Sequence, residues 1–141
     1  MVTARLSDVY DEFNGGIAEV QGIKNFAQWA FENYAPPAPA YLLLVGDATF
    51  DPKDHKGEGD NLVPARFFYA PGFGYAPTDL WFGAVSGSDD VPDLAVGRIS
   101  ARTLTQVDTY IDNLTDYEIQ PQVADLNARL VYVADDDDPS F

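Results

Sequence analysis

The sequence predicts an α/β fold built on a mostly parallel sheet. Three observations carry this. Tyr41–Val45 (YLLLV) is a continuous apolar run, the pattern of a strand covered on both faces. Before it, Ile23, Phe26, Ala27, Ala30, Phe31 and Tyr34 recur at helical spacing, and far after it so do Leu104, Val107, Ile111 and Leu114. Further short apolar runs stand between these stretches, and alternation of strands with helices argues for a parallel sheet with crossovers.

Taken in order, residues 2 to 6 read as a short strand. SDVYDEFNGG reads as a short helix or turn, because Ser7 and Asp8 are good N-cap residues and Gly15-Gly16 is a breaker. A helix from about Ala18 to Tyr34 is stopped by APPAP. YLLLV is the first firm strand, and residues 47 to 61 form a polar loop. VPARFFYAP is a weaker strand, compromised by Pro64, and LWFGAV and LAVGRI are better ones. The clearest helix runs from Thr103 to about Gln120: Thr103 and Gln106 have capping-box spacing, and Pro121 ends it. RLVYVA is a last strand, followed by DDDDPSF.

Composition removes several classes of function. The chain has 141 residues, one domain's worth, with 23 acids against 8 bases and a formal net charge of -15. Nucleic acid is excluded as a partner on charge, since phosphate binding needs a basic face. The absence of cysteine removes disulfides, thiolate metal sites and a cysteine nucleophile of the chain's own. No apolar run approaches the ~20 residues of a membrane helix. MVTARLSDVYDEF lacks the apolar core of a signal peptide.

The chemistry-bearing motifs are few. No GxxxxGK[ST] loop is present, and the glycines of GEGD and GFG do not precede a helix. One histidine and no cysteine make a poor zinc site, and His55 reads as a solvated loop residue. Ser86, in SGSDD, is outside any GxSxG elbow. VYVADDDD resembles the acidic pair of a response-regulator receiver, but the order of acceptor, acidic pair and lysine is wrong. Calcium is more credible, because hard cations take carboxylate and carbonyl oxygens, which DATFDPKD and SGSDDVPD concentrate in loops. The candidate ligands are Asp47, Asp89 and Asp90. The alternative for Asp47 is that its carboxylate orders a turn by accepting backbone N–H groups. Asp47, Asp89-Asp90 and Asp135 to Asp138 all lie just after, or a few residues after, expected strand ends, where α/β sheets bind ligands, so they could share one edge of the sheet, which the sequence alone does not establish. The run Asp135, Asp136, Asp137, Asp138 is also the pattern of a solvated acidic block. Gly97-Arg98 reads as structural, with glycine allowing close packing and arginine pairing a carboxylate. The NLT sequon at Asn113 falls inside the expected helix.

SDVYDEFNGGI, YLLLVGDATFD, NLVPARF, PTDLWFGAVSGSDDVPDLAVGRISARTLTQVDTYIDNLTDYE and RLVYVADDDD together resemble the gingipain-type cysteine peptidases, family C25. The resemblance spans nearly the whole chain in one order. It implies a caspase-like, gingipain-like α/β subdomain: a parallel sheet with flanking helices over residues 1–121, and the opening strand and acidic loop of a second subdomain over 122–141. The family's catalytic histidine, in a GHG-like motif, and its cysteine nucleophile belong downstream of the RLVYVA-like strand. His55 does not match that motif, so the chain as it stands is expected to be non-catalytic. The resemblance further implies structural calcium at Asp47 and in the loop before PDLAVGR, and a contribution to basic-residue specificity from one of Asp135 to Asp138. It implies a secreted or cell-surface bacterial setting, polypeptide substrates handled by the longer parent, and a second subdomain as partner. A stand-alone, calcium-dependent scaffold or binding module without peptidase activity is the alternative. Two structural expectations accompany this reading. The stripe Leu104, Val107, Ile111, Leu114 buries against a sheet, and RLVYVA, lacking its own sheet, gives weak self-association or local disorder after about Pro121.

Overall fold

Helix α1 (Leu6–Asn14) stops because Gly15 takes the left-handed conformation at φ 60°. In that conformation glycine carries no Cβ penalty. Its N-cap is Arg5, which makes no side-chain cap bond, so Ser7 and Asp8 lie inside the first turn. Residues 2 to 5 form no strand. Helix α2 (Val20–Asn33) follows, and Tyr34 beyond it is already extended, ahead of the prolines. These elements come from a computed structural model that describes residues 1–57 and 59–119. The RLVYVA strand, Asp135 to Asp138 and the expected 122–141 segment lie outside the described residues.

Strand β1 (Tyr41–Val45) falls where the apolar run places it. Strands β2 (Arg66–Ala70) and β3 (Gly74–Thr78) form an antiparallel hairpin. β3 escapes sequence patterning because it contains Pro77, opposite Phe67. A proline is tolerated on an edge strand, where no ladder bond is lost. LWFGAV is not a strand: Leu80–Gly83 is the short helix α3. Six apolar residues do not distinguish a buried strand from a buried helical turn. Here the Leu80 N–H donates to the Thr78 hydroxyl, and the Phe82 N–H to the Asp79 carbonyl, which turns the chain into a helix. Strand β4 (Ala95–Ile99) pairs parallel with β1, with Tyr41 opposite Ala95 and Val45 opposite Ile99. Helix α4 (Leu104–Ile119) carries the expected capping box: the Gln106 N–H donates to the Thr103 hydroxyl, and the Gln106 side chain accepts from the Thr103 N–H.

Contacts divide the chain into two compact units, Met1–Val107 and Asp108–Phe141. In the first, Ile23 from α2, Leu44 from β1, Val63 and Phe82 form the core, and Ala27, Val85 and Leu94 extend it. Phe13 of α1 packs on Phe26 and Trp29 of α2 at ring separations of 5.4 and 5.6 Å. Gly83 lets α3 sit on β4, because a Cβ there would lie 2.5 Å from the Leu94 carbonyl oxygen.

Two expectations about burial are corrected. β1 is covered on one face only: Leu44 is buried, whereas Tyr41, Leu43 and Val45 are exposed. The long apolar run reflects strand propensity and one packed face, not two. In α4 no residue is buried, and Leu104, Ile111 and Leu114 are exposed. An apolar stripe shows which side of a helix seeks cover, not what supplies it.

Candidate functional site

At the carboxyl end of the parallel pair, the β1–β4 ladder runs on past the strands. The Gly46 N–H donates to the Ile99 carbonyl at 2.9 Å, and the Asp47 N–H to the Ala101 carbonyl at 3.1 Å. Gly46 is required here: its φ is +143°, and a Cβ would lie 2.6 Å from Val63 Cγ2. The chain therefore passes tightly under the returning 62–63 segment, whose Val63 N–H donates to the Asp47 carbonyl at 3.0 Å.

Two arginines fix this end. Arg98 of β4 makes a two-pronged pair with Asp79, Nε to Oδ2 and Nη2 to Oδ1, both at 2.7 Å. Its Nη1 donates to the carbonyls of Gly46 and Val63, also at 2.7 Å. One side chain thus joins β4, the end of β1, the 62–63 segment and the start of α3. The planar fork of arginine suits this in a way that a lysine ammonium does not. Gly97 beside it has no such necessity, since its absent Cβ would meet only Leu43 Cδ1 at 3.8 Å, an ordinary contact. Of the Gly97-Arg98 expectation, the arginine half holds and the close-packing half does not.

The described side-chain partner of Asp47 is a base, and among the described residues Asp47 stands in no group of three metal-ligating side chains. Its Oδ2 accepts from Arg102 Nε at 2.7 Å, and the Arg102 guanidinium lies against Gly59. The work of ordering the 47–61 loop falls to neighbours. Asp51 Oδ2 accepts the Lys56 N–H at 2.5 Å, Asp54 Oδ1 accepts the Gly59 N–H at 2.9 Å, and Asn61 Oδ1 accepts the Thr49 N–H at 3.2 Å. Arg102 could have been found from register alone. If Val45 faces Ile99, then Asp47 faces residue 101, and a base one position on can reach it.

Asp89 and Asp90 lie elsewhere. They precede β4, at the end of the sheet where Tyr41 meets Ala95, while Asp47 follows the end where Val45 meets Ile99. Asp47 therefore shares no sheet edge with Asp89 and Asp90, because that grouping rested on reading LWFGAV as a strand. Around Asp89, the Val91 N–H donates to Oδ1 at 3.1 Å. Asp93 Oδ2 accepts the N–H groups of Val85 and Ser86 at 2.9 and 2.8 Å. Lys24 Nζ donates to the Trp81 carbonyl at 2.6 Å and to the Ala84 carbonyl, and sits 4.9 Å from the Trp81 ring centroid. Burial pushes the Lys24 ammonium below the usual lysine range, while Asp93 and Asp90 act in the opposite direction. Among the described residues, no three His, Cys, Asp or Glu side chains gather as a metal-binding group. His55 and Ser86 are exposed loop residues. No helix among the described residues is long and apolar enough to cross a membrane.

The described geometry is thus that of a braced sheet end rather than of a nucleophile and base. The model of peptidase family C25 matches residues 1–140. The chain belongs to peptidase family C25. No curated protein and no solved structure matches it. Membership gives a peptidase-related role and agrees with the mixed α/β architecture, a parallel pair with flanking helices. The 141 residues hold no cysteine.

Proposed function

We propose that this chain is the non-catalytic N-terminal half of a secreted, gingipain-like C25 cysteine peptidase, with a caspase-like arrangement completed by a second half in the longer parent. One observation carries the reading: the family match runs over residues 1–140, yet no thiol lies within them. Covalent catalysis in such a peptidase needs a thiolate and an imidazole within hydrogen-bond reach. His55, the sole histidine, stands in an exposed loop. The contribution of this half is then to support the other, and the Arg98 clasp at the carboxyl end of the sheet suits that task. Asp135 to Asp138 are proposed to favour a basic substrate side chain. The test is an assay of the purified 141-residue chain against fluorogenic peptides bearing arginine or lysine before the scissile bond, under reducing conditions. No turnover above the blank is expected. Activity that follows the chain through two orthogonal purification steps would sink the proposal. The reading frame beyond Phe141 separates it from a stand-alone scaffold, since a downstream His-Gly and a later Cys belong only to the peptidase.

Calcium belongs to the same proposal, as two separate loop positions, Asp47 after β1 and Asp89-Asp90 before β4. It is checked by thermal unfolding with calcium, with matched magnesium and with chelator. A ligand held only by the folded state at a hundredfold excess over Kd adds ~2.7 kcal/mol. A calcium-specific rise in Tm that Asp47→Asn removes supports the site. Without it, Asp47 is the partner of Arg102 alone, and Asp47→Asn is expected to cost less than about 1 kcal/mol, as for other exposed pairs.

A further inference from the structure

The 47–61 loop joins two parts of the fold that grip each other without it. The part before it carries α1, α2 and β1, and the part after it carries β2, β3, α3, β4 and α4. β1 pairs with β4 along its whole length, from Tyr41 opposite Ala95 to Val45 opposite Ile99. Past the strands, the Asp47 N–H donates to the Ala101 carbonyl, the Val63 N–H donates to the Asp47 carbonyl, and Arg98 Nη1 donates to the Gly46 carbonyl. From α2, Lys24 Nζ donates to the Trp81 and Ala84 carbonyls. The core is drawn from both parts, Ile23 and Leu44 from the first and Val63 and Phe82 from the second.

The loop, by contrast, is tied only to its own neighbourhood. Every residue from Pro52 to Gly57 is exposed. The described hydrogen bonds of Asp51 to Gly57 all fall within residues 49–59. Opening this turn therefore breaks no ladder bond and uncovers no core residue, which is the condition for an endopeptidase to draw the chain extended into its cleft. Two of the chain's three lysines, Lys53 and Lys56, stand here. The third, Lys24, lies within α2 with its ammonium bonded to the two carbonyls. Lys53 precedes Asp54, which pins the turn: its N–H donates to the Asp51 carbonyl, and its carbonyl and carboxylate accept the N–H groups of Gly57 and Gly59. Lys56 precedes Gly57, at φ +72°, with no heavy atom within 4 Å of where a Cβ would lie. A glycine swings from there to the extended form at no steric cost.

We propose that Lys56-Gly57 is the bond at which a lysine-directed endopeptidase cuts the folded chain, and that the pieces 1–56 and 57–141 stay together as one folded protein. Water is the co-reactant. The amide C–N bond breaks, Lys56 keeps the new carboxylate, and Gly57 carries the new ammonium. The cut removes a covalent link but none of the contacts that join the pieces, so their union becomes a binding equilibrium. Nothing in this requires the peptidase reading of the chain itself.

The test is brief digestion of the full 141-residue chain with lysyl endopeptidase under native conditions, read by intact mass and by size exclusion. The same enzyme dose on the urea-unfolded chain shows that all three lysyl bonds are open to it. The folded chain is expected to give 1–56 and 57–141 as the first products, eluting together at the position of the uncut chain. The nicked protein should melt in one transition whose midpoint rises with protein concentration, whereas that of the uncut chain does not. Lys56→Gln, on the exposed turn, should leave the folded chain uncut over the same period, and Lys53→Gln should change nothing. A first cut after Lys24 or Lys53 overturns the proposal. So does a folded chain that resists a dose sufficient for the unfolded one, a Lys56→Gln chain cut as fast as the parent, or a pair of pieces that separates on the column.

Discussion

Arg98→Met is expected to destabilise the protein by about 3–5 kcal/mol, the usual cost of removing one partner from a buried pair. The arginine side chain is 10% exposed and Asp79 25%, so water can replace little of what is lost. The substitution leaves Asp79 without its counter-ion and the Gly46 and Val63 carbonyls without their shared donor. At roughly 2–4 °C per kcal/mol for a chain of this size, Tm should fall by about 6–20 °C. Arg98→Lys should recover only a minority, because one ammonium cannot reach a carboxylate and two carbonyls in the arginine's fixed directions. Asp79→Asn should cost less in the Arg98→Met background than in the parent, since the two act as a pair. If Arg98→Met unfolds within about 1 kcal/mol of the parent, the clasp is not what braces the sheet end.

Phe82→Ala should be comparable, at about 3–5 kcal/mol for a buried phenylalanine. Phe82 is 0% exposed and lies in the core with Ile23, Leu44 and Val63, its ring 5.6 Å from that of Trp81. Against a total stability of ~5–15 kcal/mol, that is a large fraction. Urea unfolding followed by tryptophan fluorescence measures it, with Trp81 as a reporter beside the cavity. Phe82→Leu, which keeps most of the volume, should cost markedly less. Equal losses for both would mean that the edge-on ring contact with Trp81, rather than filled volume, sets the stability.

The elements that sequence patterning located are those with a long period or firm punctuation. α2 shows apolar recurrence over four turns and a proline stop, and α4 its capping box. β1 coincides with its apolar run, and β4 falls within one residue of LAVGRI. The hairpin's second strand and α3 were illegible for a common reason. Each is too short for its period to show, and local hydrogen bonds settle it: Phe73 N–H to Ala70 C=O in one, the Thr78 and Asp79 start in the other. The Arg98 partnership was legible in kind, a carboxylate for an arginine, but not in identity. Asp79 comes into reach only once α3 is a helix laid on β4. The same error misplaced Asp89 and Asp90 relative to Asp47, since naming a strand where a helix stands reverses the end of the sheet to which the next loop belongs.

The register of β1 against β4 also has a kinetic side. Arg98 and Gly46 are 52 residues apart in sequence, whereas the β2–β3 turn closes over a handful. Hairpins form in ~1–10 μs, but bringing distant strands together must first meet the entropy of closing the loop between them. The hairpin is therefore expected to precede the parallel pair on the route to the native state. The clasp that unites the two ends of that loop is then expected to close late, so that Arg98→Met should raise the unfolding rate more than it lowers the folding rate, as stopped-flow kinetics would measure.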